Sequence, residues 1–339
     1  MIELSQNISD YIETTFGEEF FNNYKLFVES KYLPAIRFPF YQEDTEQTIQ
    51  SLVNQGIELE PIPEINNAYF VTKGDDLIGK TLEHTLGKYY IQSLSSMVPP
   101  LILNPTEKDV VMDLCAAPGS KSTQLAELMK YQGTLYANEP NLNRIKALVH
   151  NLDKMNILNM SVIKNKGEIL SKSFNHFFDK ILVDAPCSAL GVVQKKQEVS
   201  NWWSEKSANV ISDLQLKLLI SAIKMAKVGG EIVYSTCTLT VEENEFIINK
   251  VLEKYPVELI EFDLNLKHIP GFTKIADYNF DSSLNLTKRI IPWEIKSEGF
   301  FVAKLKKIDA TEIRKNSFNK FSKKTIVSAN SHKIKKYLE

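Results

Sequence analysis

The chain reads as a doubly wound, Rossmann-like α/β domain preceded by a smaller α/β segment, and three observations predict this. From about residue 98 to 308, short apolar runs alternate with amphipathic stretches, as parallel strands do when helices join them. One such run, Val110-Val111-Met112-Asp113-Leu114, passes directly into the small residues Cys115-Ala116-Ala117-Pro118-Gly119 and then into a helical stretch. That is the strand, tight loop and helix of a nucleotide-type site. Two further runs, Ile181-Leu182-Val183-Asp184-Ala185-Pro186-Cys187 and Ile232-Val233-Tyr234-Ser235-Thr236-Cys237, each end on a thiol. An open α/β sheet binds its ligands outside the carboxyl ends of its strands, so both thiols fall where chemistry is expected.

Taken in order, the chain opens with helical patterning through Tyr11, Ile12, Phe16, Phe20, Phe21, Tyr24 and Phe27, and a second helix is expected around Thr45 to Gln55. Pro61-Ile62-Pro63 and Lys73-Gly74-Asp75-Asp76 punctuate this segment as loops. Strands are expected at Asp109 to Leu114, Thr134 to Asn138, Ser161 to Lys164, Lys180 to Val183 and Gly230 to Ser235, with late strands near Glu258 to Phe262 and Gly299 to Leu305. Gly229-Gly230 reads as a turn from helix to strand. The expected division is a front α/β domain over 1–97, the doubly wound domain over 98–308 and a basic tail over 309–339.

A chain of 339 residues can bury a sizeable core, and 43% hydrophobic with 24% charged residues is ordinary for a globular protein. The start, Met1-Ile2-Glu3-Leu4-Ser5-Gln6, lacks the basic and apolar regions of a signal peptide, and no apolar stretch is long enough to cross a bilayer. The three cysteines all lie in the motifs above, which argues against a disulfide scaffold and for a reducing cytoplasm. No Cys-x-x-Cys pair occurs and the five histidines are dispersed, so no metal site is suggested. A net charge of −2 does not announce a nucleic-acid protein. Its distribution is more telling, because residues 309–339 carry eight Lys or Arg against three acids. That tail reads either as a solvated end or as an arm contacting phosphates.

The loop can be argued physically. Asp113 ends a strand, and the small residues of Cys115, Ala116, Ala117, Pro118, Gly119 and Ser120 let backbone approach a ligand. The following helix would direct free N–H groups at an anion, with Lys121 adding a cation. Glu139 lies 20 residues after Gly119, at the end of the next strand, where an acid can accept hydrogen bonds from a ribose diol. Neither GxGxxG nor GxxxxGK[ST] is present. A cofactor carrying a carboxylate rather than a pyrophosphate suits this loop, and S-adenosylmethionine is one.

Two thiols beside such a cofactor fit chemistry on an electrophilic ring. Cytosine in RNA is not nucleophilic at carbon-5 until a thiolate adds to carbon-6; the adduct then takes a methyl group, loses a proton and expels the thiolate. One cysteine can attack while a second group assists elimination. Cys115 sits within an apolar strand end and reads as a small hydrophobe, whereas polar residues flank Cys187 and Cys237. Thiol chemistry alone does not rank Cys237 above Cys187.

The motifs Asp113 to Lys121, Asp184-Ala185-Pro186-Cys187-Ser188 and Tyr234-Ser235-Thr236-Cys237-Thr238-Leu239, followed by Glu242-Glu243-Asn244-Glu245, resemble the Sun-type (Fmu) RNA cytosine-5 methyltransferases. Gly87-Lys88-Tyr89-Tyr90-Ile91-Gln92 with Ser95-Ser96-Met97, and Arg289-Ile290-Ile291-Pro292 with Glu298-Gly299-Phe300-Phe301-Val302-Ala303, resemble the flanks of the family's catalytic domain. The likeness spans roughly residues 30 to 308 and is nearest to the bacterial branch acting on small-subunit ribosomal RNA. It implies that Cys237 is the nucleophile, that Cys187 assists release of the methylated base, and that Asp184 sits by cofactor and cytosine. It also implies S-adenosylmethionine held by the loop Cys115 to Lys121 and by Glu139, and a ferredoxin- or RRM-like front domain facing RNA. The implied partner is ribosomal RNA or the small subunit, with no membrane and a monomeric chain.

This chain departs from the family at several positions. Gly119-Ser120-Lys121 replaces Gly-Gly-Lys, and Cys187-Ser188-Ala189 replaces Cys-Ser-Gly. Lys166-Gly167 stands where an Asp contacts the adenine, Gln194 and Lys196 where an Arg and an Asp are usual, and Arg37-Phe38-Pro39-Phe40 where Arg-x-Asn-Thr is usual. Three functions remain in view: an RNA cytosine-5 methyltransferase acting on ribosomal RNA or alternatively on transfer RNA, an RNA-binding ribosome-assembly factor with weakened catalysis, and a methyltransferase of small molecules.

Overall fold

The computed structural model describes residues 4–195 and 198–312. Gly17 divides the opening helical pattern in two. At φ 90° it closes α1 (Gln6–Phe16), its N–H bonded to Glu13 O, and starts α2 (Glu18–Glu29). A side chain in that backbone region would be strained, so glycine sets the break. After β1 (Ala35–Arg37), α3 (Thr45–Asn54), β2 (Glu58–Pro61), β3 (Ala68–Lys73), α4 (Leu82–Thr85) and β4 (Tyr90–Ile91), the strands pair antiparallel in the order β2-β3-β1-β4. The βαββαβ connection with that order is ferredoxin-like.

The larger sheet begins after α5 (Leu94–Leu103). Its first half runs β5 (Val110–Asp113), α6 (Ser120–Leu128), β6 (Thr134–Asn138), α7 (Leu142–Lys154) and β7 (Met160–Ile163). Its second half runs β8 (Phe178–Asp184), α8 (Glu198–Trp202), α9 (Glu205–Met225), β9 (Ala226–Thr236), α10 (Glu245–Leu252) and β10 (Val257–Leu259). There follow β11 (His268–Pro270), the small pair β12 (Lys274–Ile275) and β13 (Tyr278–Asn279), then β14 (Lys288–Ile290), α11 (Pro292–Ile295) and β15 (Phe300–Lys307). The order is β11-β14-β15-β9-β8-β5-β6-β7, with β10 on β15. The chain moves outward from β5 through β6 and β7, then returns to β8 on the other side of β5, and β5 to β9 pair in parallel. The switch point therefore lies between β5 and β8, where a ligand crevice opens.

Both faces of this sheet are covered. Val111, Leu135, Leu182 and Val233 pack with Met97, Leu125 and Leu148, while Met112, Ile181, Ile232 and Tyr234 pack with Leu219, Ile223 and Ile248. Burial on both sides is why these strands read as continuous apolar runs. One expectation changes. Gly229-Gly230 lies inside β9, where Gly229 takes φ 82° and the register to β8 slips, so the helix ends earlier, at Met225. The antiparallel strands β11 to β14 carry too short a pattern to be read from sequence. The basic tail is described only to Glu312, so Arg314 to Lys336 lie outside the described residues, as does Lys196.

The front sheet is fastened to the larger one by a buried cation. Arg37 on β1, 2% exposed, reaches Glu127 on α6 and also donates to Gln92 Oε1 at 2.7 Å and Thr123 Oγ1 at 2.7 Å. Gln194 likewise ties the loop after β8 to α2, its Nε2 donating to Phe27 O and Ser30 O, both at 2.9 Å.

Candidate active site

A cavity of about 490 Å³ opens at the carboxyl ends of β5, β6, β8 and β9. Cys115, Ala116, Ala117, Pro118, Ser120, Lys121, Glu139, Asp184, Cys187 and Cys237 all line it. Gly119 does not. It caps α6 at φ 112°, and a Cβ there would meet Leu148 Cδ1 at 3.1 Å, so its smallness shapes the loop from behind. Four separate strand ends thus bring together residues spread over 123 positions from Cys115 to Cys237.

One half of the cavity presents acids and carbonyls. Asp113 is buried, and its Oδ2 accepts from Ser122 Oγ at 2.6 Å while its Oδ1 has no partner among the described residues. Asn138 donates to Leu114 O at 3.0 Å and leaves its Oδ1 unpartnered too. Buried oxygens of this kind are rare unless a ligand or water completes them. Burial pushes the Asp113 carboxyl up to about 6, helped by the charge of Asp184 and opposed by the Ser122 hydrogen bond. Glu139, 1% exposed, accepts from Asn141 N at 2.8 Å and pairs with Arg144 at 3.0 Å, and Arg144 also donates to Ala117 O at 2.6 Å. This acid is thereby tied to the small-residue loop. This set of acceptors suits a ligand carrying an ammonium and a diol.

The other half carries the thiols. Cys187 Sγ and Cys237 Sγ lie 3.2 Å apart. The contact with Cys237 and burial push the Cys187 thiol well up, so it stays protonated at neutral pH. Lys121 Nζ pairs with Asp184 Oδ2 at 2.7 Å, donates to Ser96 Oγ at 2.8 Å and stands 5.5 Å from the Phe300 ring centre. Burial alone would pull this ammonium down, but Asp184 reverses the effect and holds it above the ordinary lysine value. Asp184 Oδ1 accepts from Ser235 Oγ at 2.9 Å, which fixes the pair across β8 and β9. Cys115 lines the cavity from the loop; burial, then the charge of Asp113, raise its thiol well above the usual range.

The residues after Cys237 prove to be a clamp. Glu243 is buried and accepts from Ser188 N, Gln215 Nε2 and Thr240 Oγ1, each at 2.8 Å. It therefore anchors the backbone next to Cys187. Asn244 accepts from Thr236 Oγ1 at 2.6 Å and donates to Thr238 O at 3.1 Å, bracketing Cys237 from both sides. Glu245 pairs with buried Arg289, which donates to Leu239 O at 2.9 Å. The acidic run Glu242 to Glu245 is visible in the sequence, but its targets are set by tertiary contact.

The position singled out at Lys166 is resolved at the cavity wall. Lys166 is exposed and outside the cavity lining, while Gly167 and Glu168 line the wall. Gly167 is pressed against α9, where a Cβ would come 2.6 Å from Leu218 Cδ2, and Ser221 Oγ donates to its carbonyl at 2.8 Å. That contact turns Lys166 outward and Glu168 in.

The sequence pattern of the family described as 16S rRNA methyltransferase RsmB/F matches residues 100–306. The chain is 35% identical over 317 residues to the 26S rRNA (cytosine-C(5))-methyltransferase nsun-1 of Caenorhabditis elegans, covering 91% of this chain and 48% of that protein. It is 34% identical over 275 residues to the tRNA (cytosine(49)-C(5))-methyltransferase of Pyrococcus abyssi, covering 81% of this chain and 88% of the relative. The crystal structure of a methyltransferase homolog from Pyrococcus horikoshii superimposes with a TM-score of 0.77 at 28% identity, covering 90% of this chain and 100% of that one. The chain spans about half the length, or less, of several curated relatives it matches. With the motifs, the fold and this match in agreement, the chain belongs to the 16S rRNA methyltransferase RsmB/F family, the Sun-type group its strand-end cysteines resemble.

Proposed function

We propose that this protein is an RNA cytosine-5 methyltransferase that uses S-adenosylmethionine and acts on small-subunit ribosomal RNA. The observation that carries the reading is the pair of thiols 3.2 Å apart, facing one cavity with the Lys121–Asp184 pair. When bound, the cofactor supplies an electrophilic methyl group on a sulfonium centre. The loop Cys115 to Lys121 would hold its methionine part, Asp113 the ammonium and Glu139 the ribose diol. The two unpartnered oxygens of Asp113 and Asn138 fit such a ligand.

Cys237 adds through sulfur to cytosine carbon-6, which makes carbon-5 nucleophilic. Lys121, a buried ammonium, lines the same cavity as Cys237. Asp184 keeps Lys121 in place and faces the same space. After transfer, the carbon-5 proton passes to solvent, its electron pair returns to the ring and Cys237 is expelled as thiolate. Cys187 assists that elimination through its contact with the departing sulfur. Among the described residues no helix is long and apolar enough to cross a membrane, and RNA in the cytoplasm is the partner in this reading.

The test is transfer of labelled methyl to small-subunit ribosomal RNA, assembled small subunits and transfer RNA, followed by mapping of 5-methylcytosine. Label confined to transfer RNA would favour the second reading, which the archaeal relative's 88% coverage supports. RNA binding without label on any RNA would favour an assembly factor.

Cofactor affinity should depend on pH through Asp113. Its value of about 6 in the fold stands above the ordinary aspartate value of 3.8, so below about 6 the free site holds a proton. An ammonium bound beside it favours the ionised form and drives that proton off. Affinity should therefore rise by roughly tenfold per pH unit up to about 6 and then level. Calorimetric titration between pH 5 and 8 should show this in the wild type and lose it in Asp113→Asn. At the wall, Glu168→Ala should weaken cofactor binding by up to about tenfold, the scale of one hydrogen bond, while Lys166→Ala leaves it within error. The opposite ranking would return Lys166 to the adenine side.

A further inference from the structure

Three cations line the cavity among the described residues, and two are committed: Lys121 to Asp184 at 2.7 Å and Arg144 to Glu139 at 3.0 Å. The third, Lys195, is held more loosely. It meets Glu298 Oε1 at 3.3 Å and lies 5.4 Å from the Tyr32 ring centre, with 44% of its side chain exposed. Glu298 is only 7% exposed and is fixed by Ser95, whose Oγ donates to Oε2 at 3.0 Å. Burial pulls the Lys195 ammonium down, but Glu298 and Tyr32 outweigh it, so it keeps its charge.

Both members of this pair are referenced to the nucleophile through backbone. Gly191 N donates to Cys237 O at 3.0 Å, and Gly299 N donates to Gly191 O at 3.0 Å. The stack tolerates no side chain: a Cβ on Gly191 would come 2.2 Å from Gly299 O and 2.8 Å from Cys237 O. Lys195 is four residues beyond Gly191, and Glu298 directly precedes Gly299. A cation at the cavity wall therefore stands at a set offset from the sulfur of Cys237.

We infer that Lys195 is the contact for a backbone phosphate of the target nucleotide, with Glu298 holding the ammonium in place until the phosphate takes it over. A cytosine lodged against Cys237 must carry its phosphates to the cavity mouth. There a half-exposed ammonium can exchange one weak carboxylate contact for a phosphate. The inference rests on the RNA-methyltransferase reading and names a positioning residue within it. Phosphate contact carries no base information, so Lys195 would fix where the nucleotide sits, not which base is chosen.

The test is binding of a fluorescein-labelled, cytosine-containing single-stranded RNA oligonucleotide, measured by anisotropy over a range of salt. Lys195→Gln should weaken binding by roughly five- to tenfold and flatten the log–log salt slope by about 0.7, one single-strand phosphate contact. Lys195→Arg should keep the slope. Glu298→Gln, which removes the competing anion, should bind RNA more tightly by about twofold or more. If Lys195 served only to neutralise Glu298, the double variant Lys195→Gln with Glu298→Gln would bind RNA with the wild-type affinity and slope; that result, or an unchanged slope in Lys195→Gln, overturns the inference. The readout needs no methyl transfer. Wild type that binds RNA but never methylates it sinks the proposed activity, while an unaltered slope in an active enzyme sinks Lys195 alone.

Discussion

Cys237→Ala should lose methyl transfer by roughly a thousandfold or more and leave no covalent RNA adduct, because in the proposed mechanism its sulfur is the one that bonds to carbon-6. Cys187→Ala should behave differently. Its neighbour can still add to carbon-6 and methylation can proceed, but elimination loses the group 3.2 Å from the departing sulfur. RNA and cofactor mixed with each variant and run on a denaturing gel should therefore give a shifted protein–RNA band for Cys187→Ala, little for wild type and none for Cys237→Ala. A band from Cys237→Ala alone would exchange the two roles. Full activity in both variants would remove the covalent mechanism.

Arg37→Leu should destabilise the fold by about 3–5 kcal/mol, since it leaves the Glu127 carboxylate buried and unpaired. Burial already pushes Glu127 above the usual carboxylate range, with Arg37 working against the rise. Thermal unfolding should begin on the order of 5–15 °C earlier. The double variant Arg37→Leu with Glu127→Leu should recover most of this loss, because two apolar side chains carry no desolvation cost. If the double variant unfolds no later than the single one, the site depends on the other contacts of Arg37, to Gln92 and Thr123.

The strand ends were the legible part. Asp113, Asp184 and Cys237 each follow an apolar run of a sheet buried on both faces, and such runs announce parallel strands without any knowledge of their neighbours. Glu139 was legible for the same reason. The antiparallel side of the sheet was not, because β11 and β14 have only three residues each and no alternation to read. The break at Gly17 is not legible, because the apolar spacing continues across it in register, although φ 90° breaks the helix there. The exposure of Lys166 is not legible either, because a position relative to a motif says which residue is near the wall, not which side chain faces it.

The doubly wound sheet, the loop from Cys115 to Lys121 and the three strand-end motifs are written in local patterning, which encodes strand, turn and helix. Which groups meet is a matter of tertiary contact. The 3.2 Å contact of Cys187 and Cys237 spans 50 residues, and the Arg37–Glu127 pair spans 90. Glu243 reaches back 55 residues to Ser188, and Lys195 is set against Glu298 across 103. No local rule fixes such pairings. They follow from the strand order β9-β8-β5-β6, which carries distant segments to one edge of the sheet, where the burial of each group sets its charge.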